Sequence, residues 1–205
     1  TNADGRGPAW CNSLFEDNAE FGLGIRLALD GKRDRAEHLV RLLSSKIGSE
    51  IATEVLKATQ NDEREIHDQR HRIVRLRKML SGDDSAAANE LSIIADSLVD
   101  RSMWIIGGDG WAYDIDFGGV DHVLSTGRNV NLLVLDTGVY SNPGGQASKA
   151  TPRAATAKFA AFGRESHRKD MGQMAIAYGS VYVAQIAMGA NPAQAIKAFH
   201  EAESF

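Results

Sequence analysis

The chain has 205 residues, of which 43% are hydrophobic and 24% charged, which is enough to bury the core of a single domain. Its formal net charge of −4 gives no overall attraction to nucleic acid or to an anionic membrane, and no apolar run is long enough to span a bilayer. One cysteine, Cys11, and the absence of a signal-peptide pattern exclude a disulfide framework and lead us to expect a cytoplasmic protein.

The first hundred residues are predicted to be mostly helical. Ser13 and Glu16 have the spacing of a capping box, which predicts that a helix starts there. Between residues 32 and 100 the apolar residues recur three and four positions apart, as they do along one face of a helix. The stretch SGDDS, residues 81–85, interrupts this pattern and separates two helices.

After Arg101 the pattern changes to that of a strand–helix–strand crossover. MWIIGG (103–108) and VNLLVLDT (130–137) are short, continuous apolar runs, typical of strands that are buried on both faces. The residues between them carry a helical pattern over 115–124, and Gly127 stands where such a helix ends.

The remaining residues continue the alternation of helices and strands. We predict helices over 151–162 and 168–178, a strand over 181–187, and a final helix capped by Asn191 with Pro192 at its first position. The sequence therefore predicts an α/β fold with a doubly wound, mostly parallel sheet flanked by helices.

Two polar loops follow the two strands of the crossover. In open parallel sheets ligands bind at the carboxyl ends of the strands, so the loops 108–111 and 137–142 are expected to share one crevice. The Asp109 carboxylate, the Thr137 hydroxyl and the Val139 carbonyl are hard oxygen ligands suited to Mg²⁺ or Ca²⁺. A bridging cation would reconcile an acidic residue on an exposed loop with a bound phosphate, which glycine N–H groups would also contact.

Other candidate sites are less specific. His67 and His71 are four residues apart on a predicted helix, but two ligands do not make a metal site, and their charged neighbours favour a solvated helix face. Ser148 and Lys149 follow the second loop and are candidates for contact with a phosphate group or coenzyme A.

Three long strings resemble one enzyme family. GGDGWAYDIDFGGVDHVL (107–124), NLLVLDTGVYSNPGGQASKATP (131–152) and SLFEDNAEFGLG (13–24) are similar to the thiamin-diphosphate-binding domain of pyruvate:ferredoxin (flavodoxin) oxidoreductase. The resemblance covers about residues 5–30 and 92–204. It implies that residues 1–205 form one thiamin-diphosphate-binding domain with a helical insertion at about 31–91.

The resemblance assigns roles to individual residues. It implies that Mg²⁺ is bound by Asp109, Thr137 and Val139, and that Asn142 lies near the reacting thiazolium and takes part in catalysis. The residues implied to bind the cofactor are Gly108, Asp109, Gly110, Trp111, Thr137, Gly138, Val139, Tyr140, Ser141 and Asn142. The chain departs from the family pattern at Gly138, which replaces glutamate, and at Pro143, which replaces threonine.

The resemblance also implies the reaction and the partners. The parent enzyme would oxidise pyruvate to acetyl-CoA and CO₂ and pass electrons through iron–sulfur clusters to ferredoxin or flavodoxin. The cluster cysteines, the ferredoxin-like domain and the pyrimidine-binding domain are not found in this segment. We therefore expect a fragment or subunit of a larger, homodimeric enzyme, with no nucleic-acid or membrane partner.

A second interpretation stays open at this point. The substitutions Gly138 and Pro143 and the missing cysteines are also compatible with a thiamin-fold module that has lost catalysis and serves a structural or interaction role. The joint presence of Asp109, Thr137 and Asn142 favours the enzyme, because a silent module has no need of that combination.

Overall fold

The computed structural model describes residues 7–13 and 17–205. Within them the chain forms two compact units, each with a hydrophobic core of its own. One unit contains the described residues up to Gly24 together with Met103–Glu203 and Phe205, and the other contains Ile25–Ser102 and Ser204. Among the described residues, no helix combines the length and the apolar character needed to cross a bilayer.

The Ile25–Ser102 unit is helical, as predicted. Its helices are α1 (Asn18–Leu42, from Ile25 onward), α2 (Ser44–Ile47), α3 (Ser49–Leu56), α4 (Glu63–Leu80) and α5 (Ala86–Ile94), with a 3₁₀ turn at Ala95–Leu98. The predicted break at 81–85 is confirmed. Asp62 and Ser85 cap α4 and α5 by accepting hydrogen bonds from the backbone N–H groups of Glu65 and Ala88.

The core of the helical unit forms where apolar stripes of its helices meet. Leu39, Leu76 and Leu91 are fully buried, and Gln69 is buried among the apolar residues. The Gln69 side-chain amide donates to the backbone oxygens of Val55 and Leu98, both at 3.1 Å. These bonds satisfy a polar group that would otherwise destabilise the core.

The other unit contains the predicted crossover. Strand β1 (Trp104–Gly108) pairs in parallel with β2 (Asn131–Leu135), and α6 (Phe117–Ser125) lies between them in sequence. A short π-helix, Gly110–Ile115, connects β1 to α6. Gly127 has a φ of 59°, the left-handed conformation typical of the residue that ends a helix. The fold is α/β, compatible with the helix-flanked sheet that the sequence predicts.

Four further elements follow in this unit. Strands β3 (Val139–Tyr140) and β4 (Gln146–Ala147) form an antiparallel pair, followed by α7 (Met171–Ile176) and α8 (Pro192–Ser204). The prediction of the last helix is confirmed, because the Asn191 side chain accepts a hydrogen bond from Gln194 N–H and Pro192 is the first helical residue. Helix α7 confirms the helix predicted over 168–178 in a shorter form.

Two predicted elements are wrong. Residues 151–162 form turns and isolated bridges rather than a helix, since Ala154 and Phe159 have φ values of 67° and 65° and Ala154 N–H donates to Arg164 O. Residues 181–187 have an irregular backbone. In the described part of the chain no strand pairs with them, and a strand needs a neighbour for its ladder of hydrogen bonds.

The described residues test only part of the prediction for the start of the first helix. Helix α1 begins at Asn18, and the Ser13 hydroxyl donates a hydrogen bond to the Asn18 side-chain oxygen at 2.6 Å. The predicted capping box pairs Ser13 with Glu16, and Glu16 lies outside the described residues.

Candidate functional site

Two loops meet at the carboxyl end of the parallel strands. Strands β1 and β2 pair with Gly108 beside Leu135, so the residues after each strand leave the sheet at the same edge. Asp109 follows β1 directly, and Thr137 lies two residues beyond β2. The structure brings the side chains of these two residues into direct contact.

Asp109 is the centre of this contact. Its Oδ2 atom accepts hydrogen bonds from the Thr137 hydroxyl at 2.9 Å and from Val139 N–H at 2.7 Å, and its Oδ1 atom accepts one from Thr137 N–H at 3.2 Å. The residue is only 2% exposed, so the expectation of an exposed loop carboxylate is wrong. Burial raises the pKa of the Asp109 carboxyl, while the hydrogen bonds from Thr137 and Val139 oppose that shift.

The oxygen atoms predicted to bind a cation lie close to one another. The Thr137 hydroxyl oxygen is 2.9 Å from Asp109 Oδ2, 3.1 Å from the Val139 carbonyl oxygen and 2.8 Å from the Ser141 hydroxyl. The structure therefore groups one carboxylate, one carbonyl and two hydroxyls at the ends of β1 and β2.

The glycine after Asp109 allows the two loops to approach closely. A Cβ atom at Gly110 would lie 2.1 Å from Cε1 of Tyr140, the last residue of β3. Any larger residue at this position would force the aromatic ring away. Gly110 is itself buried at the start of the π-helix, so packing requires the glycine that follows Asp109.

A second buried carboxyl lies behind this loop. Asp116 Oδ2 accepts hydrogen bonds from the Trp111 indole N–H at 2.8 Å and from Ala19 N–H at 2.9 Å. Burial, together with the neighbouring Glu20 carboxyl, raises the pKa of Asp116 to about 6. Asp116 thus ties the start of α1 to the loop that follows β1.

The comparison with known proteins identifies the family. No model of a known protein family matches the chain. Across its whole length it is 56% identical to a putative pyruvate-flavodoxin oxidoreductase of Synechocystis sp., 54% to a probable pyruvate-flavodoxin oxidoreductase of Escherichia coli, and 48% to the pyruvate:ferredoxin oxidoreductase of Moorella thermoacetica. The chain is a segment of an enzyme of the pyruvate-flavodoxin oxidoreductase family. It spans 17%, 17% and 18% of the lengths of these three relatives.

The structure gives a physical reason for one departure from the pyruvate-flavodoxin oxidoreductase pattern. Gly138 has a φ of 78°, a backbone conformation in which a side chain such as glutamate is strained. The Gly138 carbonyl accepts a hydrogen bond from the Thr151 hydroxyl at 2.5 Å. Glycine therefore suits the local geometry between Thr137 and Val139.

The second departure, Pro143, lies in an exposed turn. Gly144 N–H donates to Ser141 O, and Gly145 N–H donates to Tyr140 O, which closes the turn between β3 and β4. Asn142, the residue implied to take part in catalysis, is exposed on the same turn. Its catalytic role in a pyruvate-flavodoxin oxidoreductase stays a prediction.

Three residues that the sequence did not single out adjoin the site. The Asp136 carboxylate accepts hydrogen bonds from the Tyr113 hydroxyl at 2.8 Å and from the Arg168 guanidinium. Asp136 and Arg168 line a cavity of about 340 Å³ together with Thr137, Val139 and Thr151. Asp136 could have been noticed as the neighbour of Thr137, but no sequence signal connects Arg168 with a loop so far back along the chain.

The structure shows where the less specific candidate residues lie and what they contact. Lys149 N–H donates to the Asp114 carboxylate, and Ser148 is buried and bonded to Thr151, so both help to fix the loop. His67 and His71 lie on the exposed face of α4, with their Nε2 atoms 2.9 Å apart. In the described ranges, no group of three or more His, Cys, Asp or Glu residues could hold a metal ion.

Proposed function

We propose that this chain is the thiamin-diphosphate- and Mg²⁺-binding segment of a pyruvate:flavodoxin or pyruvate:ferredoxin oxidoreductase. The observation that carries the proposal is the convergence of Asp109, Thr137 and Val139 at the ends of β1 and β2. The names of the relatives, which match the chain over its whole length, support pyruvate as the substrate and an iron–sulfur or flavin protein as the electron acceptor.

The residues at this site fit Mg²⁺. Carboxylate, hydroxyl and carbonyl oxygens are the hard ligands that Mg²⁺ takes, at about 2.0–2.1 Å in an octahedron, which places neighbouring ligands roughly 3 Å apart. The Thr137 hydroxyl lies 2.9 Å from Asp109 Oδ2 and 3.1 Å from the Val139 carbonyl oxygen, which agrees with that spacing.

Each residue of the site has a defined task in this proposal. Asp109 supplies the negative charge that holds the cation, and Thr137 and Val139 supply neutral oxygen ligands. Gly110 lets the loop approach Tyr140 closely, so the backbone after β1 can come near a diphosphate. Asn142, exposed on the neighbouring turn, offers an amide that can hydrogen-bond a carbonyl or hydroxyl group of the substrate.

Within the parent enzyme, the role of this segment would be to position the cofactor. When bound, thiamin diphosphate supplies the electron sink that the decarboxylation of a 2-oxo acid requires. The loops of this chain would hold the diphosphate end through the cation, and thereby fix where the reactive ring meets the residues of another domain. We infer that a pyrimidine-binding domain, a ferredoxin-like domain with iron–sulfur clusters, and coenzyme A complete the reaction in a cytoplasmic homodimer.

Calorimetric titration of the parent enzyme tests this function. Thiamin diphosphate should bind in the presence of Mg²⁺ and lose that binding when EDTA removes the metal or when Asp109 is replaced by alanine. At about 100 times its dissociation constant the cofactor should stabilise the folded state by roughly 2.7 kcal/mol. Asp84→Ala, in the exposed connection between α4 and α5, is the control that should bind normally.

The same titration distinguishes the proposed function from the second interpretation, a thiamin-fold module that has lost catalysis. A folded parent enzyme that binds no thiamin diphosphate at millimolar concentration with Mg²⁺ present would contradict the proposed function. Asp109→Ala should also lower the stability of the apo protein, because Thr137 N–H and Val139 N–H lose their acceptor. A hydrogen bond to a charged group contributes about 1.5–3 kcal/mol, and the loss should be smaller here because Thr137 is exposed and water can replace part of the bonding.

A further inference from the structure

An ion pair with a hydrogen-bonded tyrosine adjoins the proposed cation site. Asp136 Oδ2 accepts hydrogen bonds from the Tyr113 hydroxyl and from Arg168 Nη2, and Arg168 Nη2 also donates to the Tyr113 hydroxyl at 3.1 Å. The Arg168 guanidinium carbon lies 5.8 Å from the centre of the Tyr113 ring. The three side chains therefore form a closed network, in which Tyr113 is 4% exposed as a residue and the two charged groups are partly exposed.

This network joins the two loops that carry the site. Tyr113 belongs to the π-helix that starts one residue after Asp109, and Asp136 directly precedes Thr137. The network thus connects the segment after β1 with the segment after β2 through side chains, next to the direct contact between Asp109 and Thr137. A displacement of Asp136 would move the backbone of Thr137 with it.

Arg168 is presented to the network by a well-anchored segment. The neighbouring Lys169 donates from its backbone N–H to Lys149 O at 2.9 Å and from its amine to Tyr113 O at 3.0 Å. The Lys169 amine also lies over the Phe117 ring, 2.9 Å from its centre. These contacts anchor the backbone next to Arg168, and the planar guanidinium then loses less freedom per hydrogen bond formed than a lysine amine would.

We propose that Arg168 is a positioning residue for the cation site: it neutralises Asp136 and ties it to Tyr113, so that the chain enters Thr137 in the geometry that faces Asp109. This inference rests on the proposed function. Without Arg168, the Asp136 carboxylate would keep its hydrogen bond from Tyr113 but lose its cationic partner, and a second negative charge would then stand near Asp109, where a diphosphate must approach. The Asp136 carboxylate would then compete with Asp109 for the cation, and its charge would repel the diphosphate.

The test measures the affinity of the parent enzyme for thiamin diphosphate at saturating Mg²⁺ by calorimetry. Arg168→Gln should weaken binding by about 10- to 100-fold, the usual effect of losing a group that orients a metal ligand. Arg168→Lys keeps the charge and should bind more nearly like the wild type. Arg128→Gln removes an exposed arginine from the same unit, in the loop before β2 and so at the end of that strand opposite Thr137, and should leave the affinity unchanged.

A double-mutant cycle shows whether Arg168 acts through Asp136. In the background of Asp136→Asn no carboxylate needs neutralising, and the side-chain oxygen of the introduced asparagine can still accept from Tyr113. Replacing Arg168 by glutamine should therefore cost much less affinity there than in the wild type. If the single Arg168→Gln variant does not fold, the pair Asp136→Asn and Asp136→Asn/Arg168→Gln still gives a result: their affinities should be nearly equal, and a loss of about tenfold or more between them would overturn the positioning role.

Three results would be decisive against parts of this account. An Arg168→Gln variant that binds as tightly as the wild type would overturn the positioning role. An equal loss in both backgrounds would also overturn it, because Arg168 would then act on the bound anion directly. A wild-type enzyme that binds no cofactor at all would instead contradict the proposed function, and the inference would fall with it.

Discussion

The Asp109 carboxylate binds Thr137 twice, through the threonine hydroxyl at 2.9 Å and through its backbone N–H at 3.2 Å. This double contact fixes both the side chain and the main chain of Thr137 at the end of β2. It also leaves the threonine hydroxyl between Asp109 and the Val139 carbonyl oxygen, where it can serve as a ligand to a shared cation.

Replacing Thr137 separates the role of its hydroxyl from that of its shape. Thr137→Val keeps the volume but removes the oxygen, so Mg²⁺-dependent binding of thiamin diphosphate to the parent enzyme should weaken by at least about tenfold. Thr137→Ser keeps the oxygen and should bind nearly as the wild type does. Equal affinities of the two variants, measured by calorimetry, would show that the hydroxyl is no ligand.

Gly110 should tolerate no side chain. An added Cβ would lie 2.1 Å from the Tyr140 ring, so Gly110→Ala should lower the free energy of unfolding of the 205-residue chain by about 1–3 kcal/mol. The matched control is Gly118→Ala inside α6, where a Cβ meets nothing within 4 Å. That change should be neutral or stabilise by up to about 1 kcal/mol. Similar urea midpoints for both variants would refute the close approach.

Asp116 should make stability depend on pH. Its pKa is about 6 in the folded chain and about 3.9 in an unfolded one, so between these values the folded state binds more protons. The contribution of Asp116 to stability is therefore greatest below about pH 4 and is lost as the pH rises through about 6, by at most about 3 kcal/mol.

Comparison with Asp116→Asn isolates this effect. Asparagine still accepts from Trp111 and Ala19, and its amide can donate to Glu20, so the variant should lack the decline between about pH 4 and pH 6. Urea unfolding at several pH values measures the difference between the two proteins. Parallel stability curves would show that Asp116 does not titrate in this range.

The buried hydrogen bonds of Gln69 should stabilise the helical unit. Gln69→Leu removes the donor to the Val55 and Leu98 carbonyl oxygens and should cost about 1–3 kcal/mol of stability. Val74→Ala, at a half-exposed position of the same helix, should change stability by no more than about 0.5 kcal/mol. Denaturant unfolding followed by circular dichroism gives both values, and an unchanged midpoint for Gln69→Leu would count against the buried hydrogen bonds.

Local sequence patterns were sufficient to predict several elements. The apolar runs at 103–108 and 130–137 predicted β1 and β2, and the polar residues after them, Asp109 and Thr137, are the pair found in contact. Asn191 and Pro192 marked the start of the last helix. Such signals succeed because strand burial, helix periodicity and capping act over a few neighbouring residues.

Features that depend on partners far apart in the sequence could not be predicted from local patterns. The burial of Asp109 follows from three hydrogen bonds to residues 28 and 30 positions later, and Arg168 meets Tyr113 across 55 residues. The helix predicted over 151–162 is replaced by turns, because Arg164 bonds to the carbonyl oxygens of Ser148 and Thr151 and to the backbone at Ala154. These long-range contacts replace the hydrogen bonds that a helix would have made locally, and helix propensity is a weak preference that tertiary contacts override.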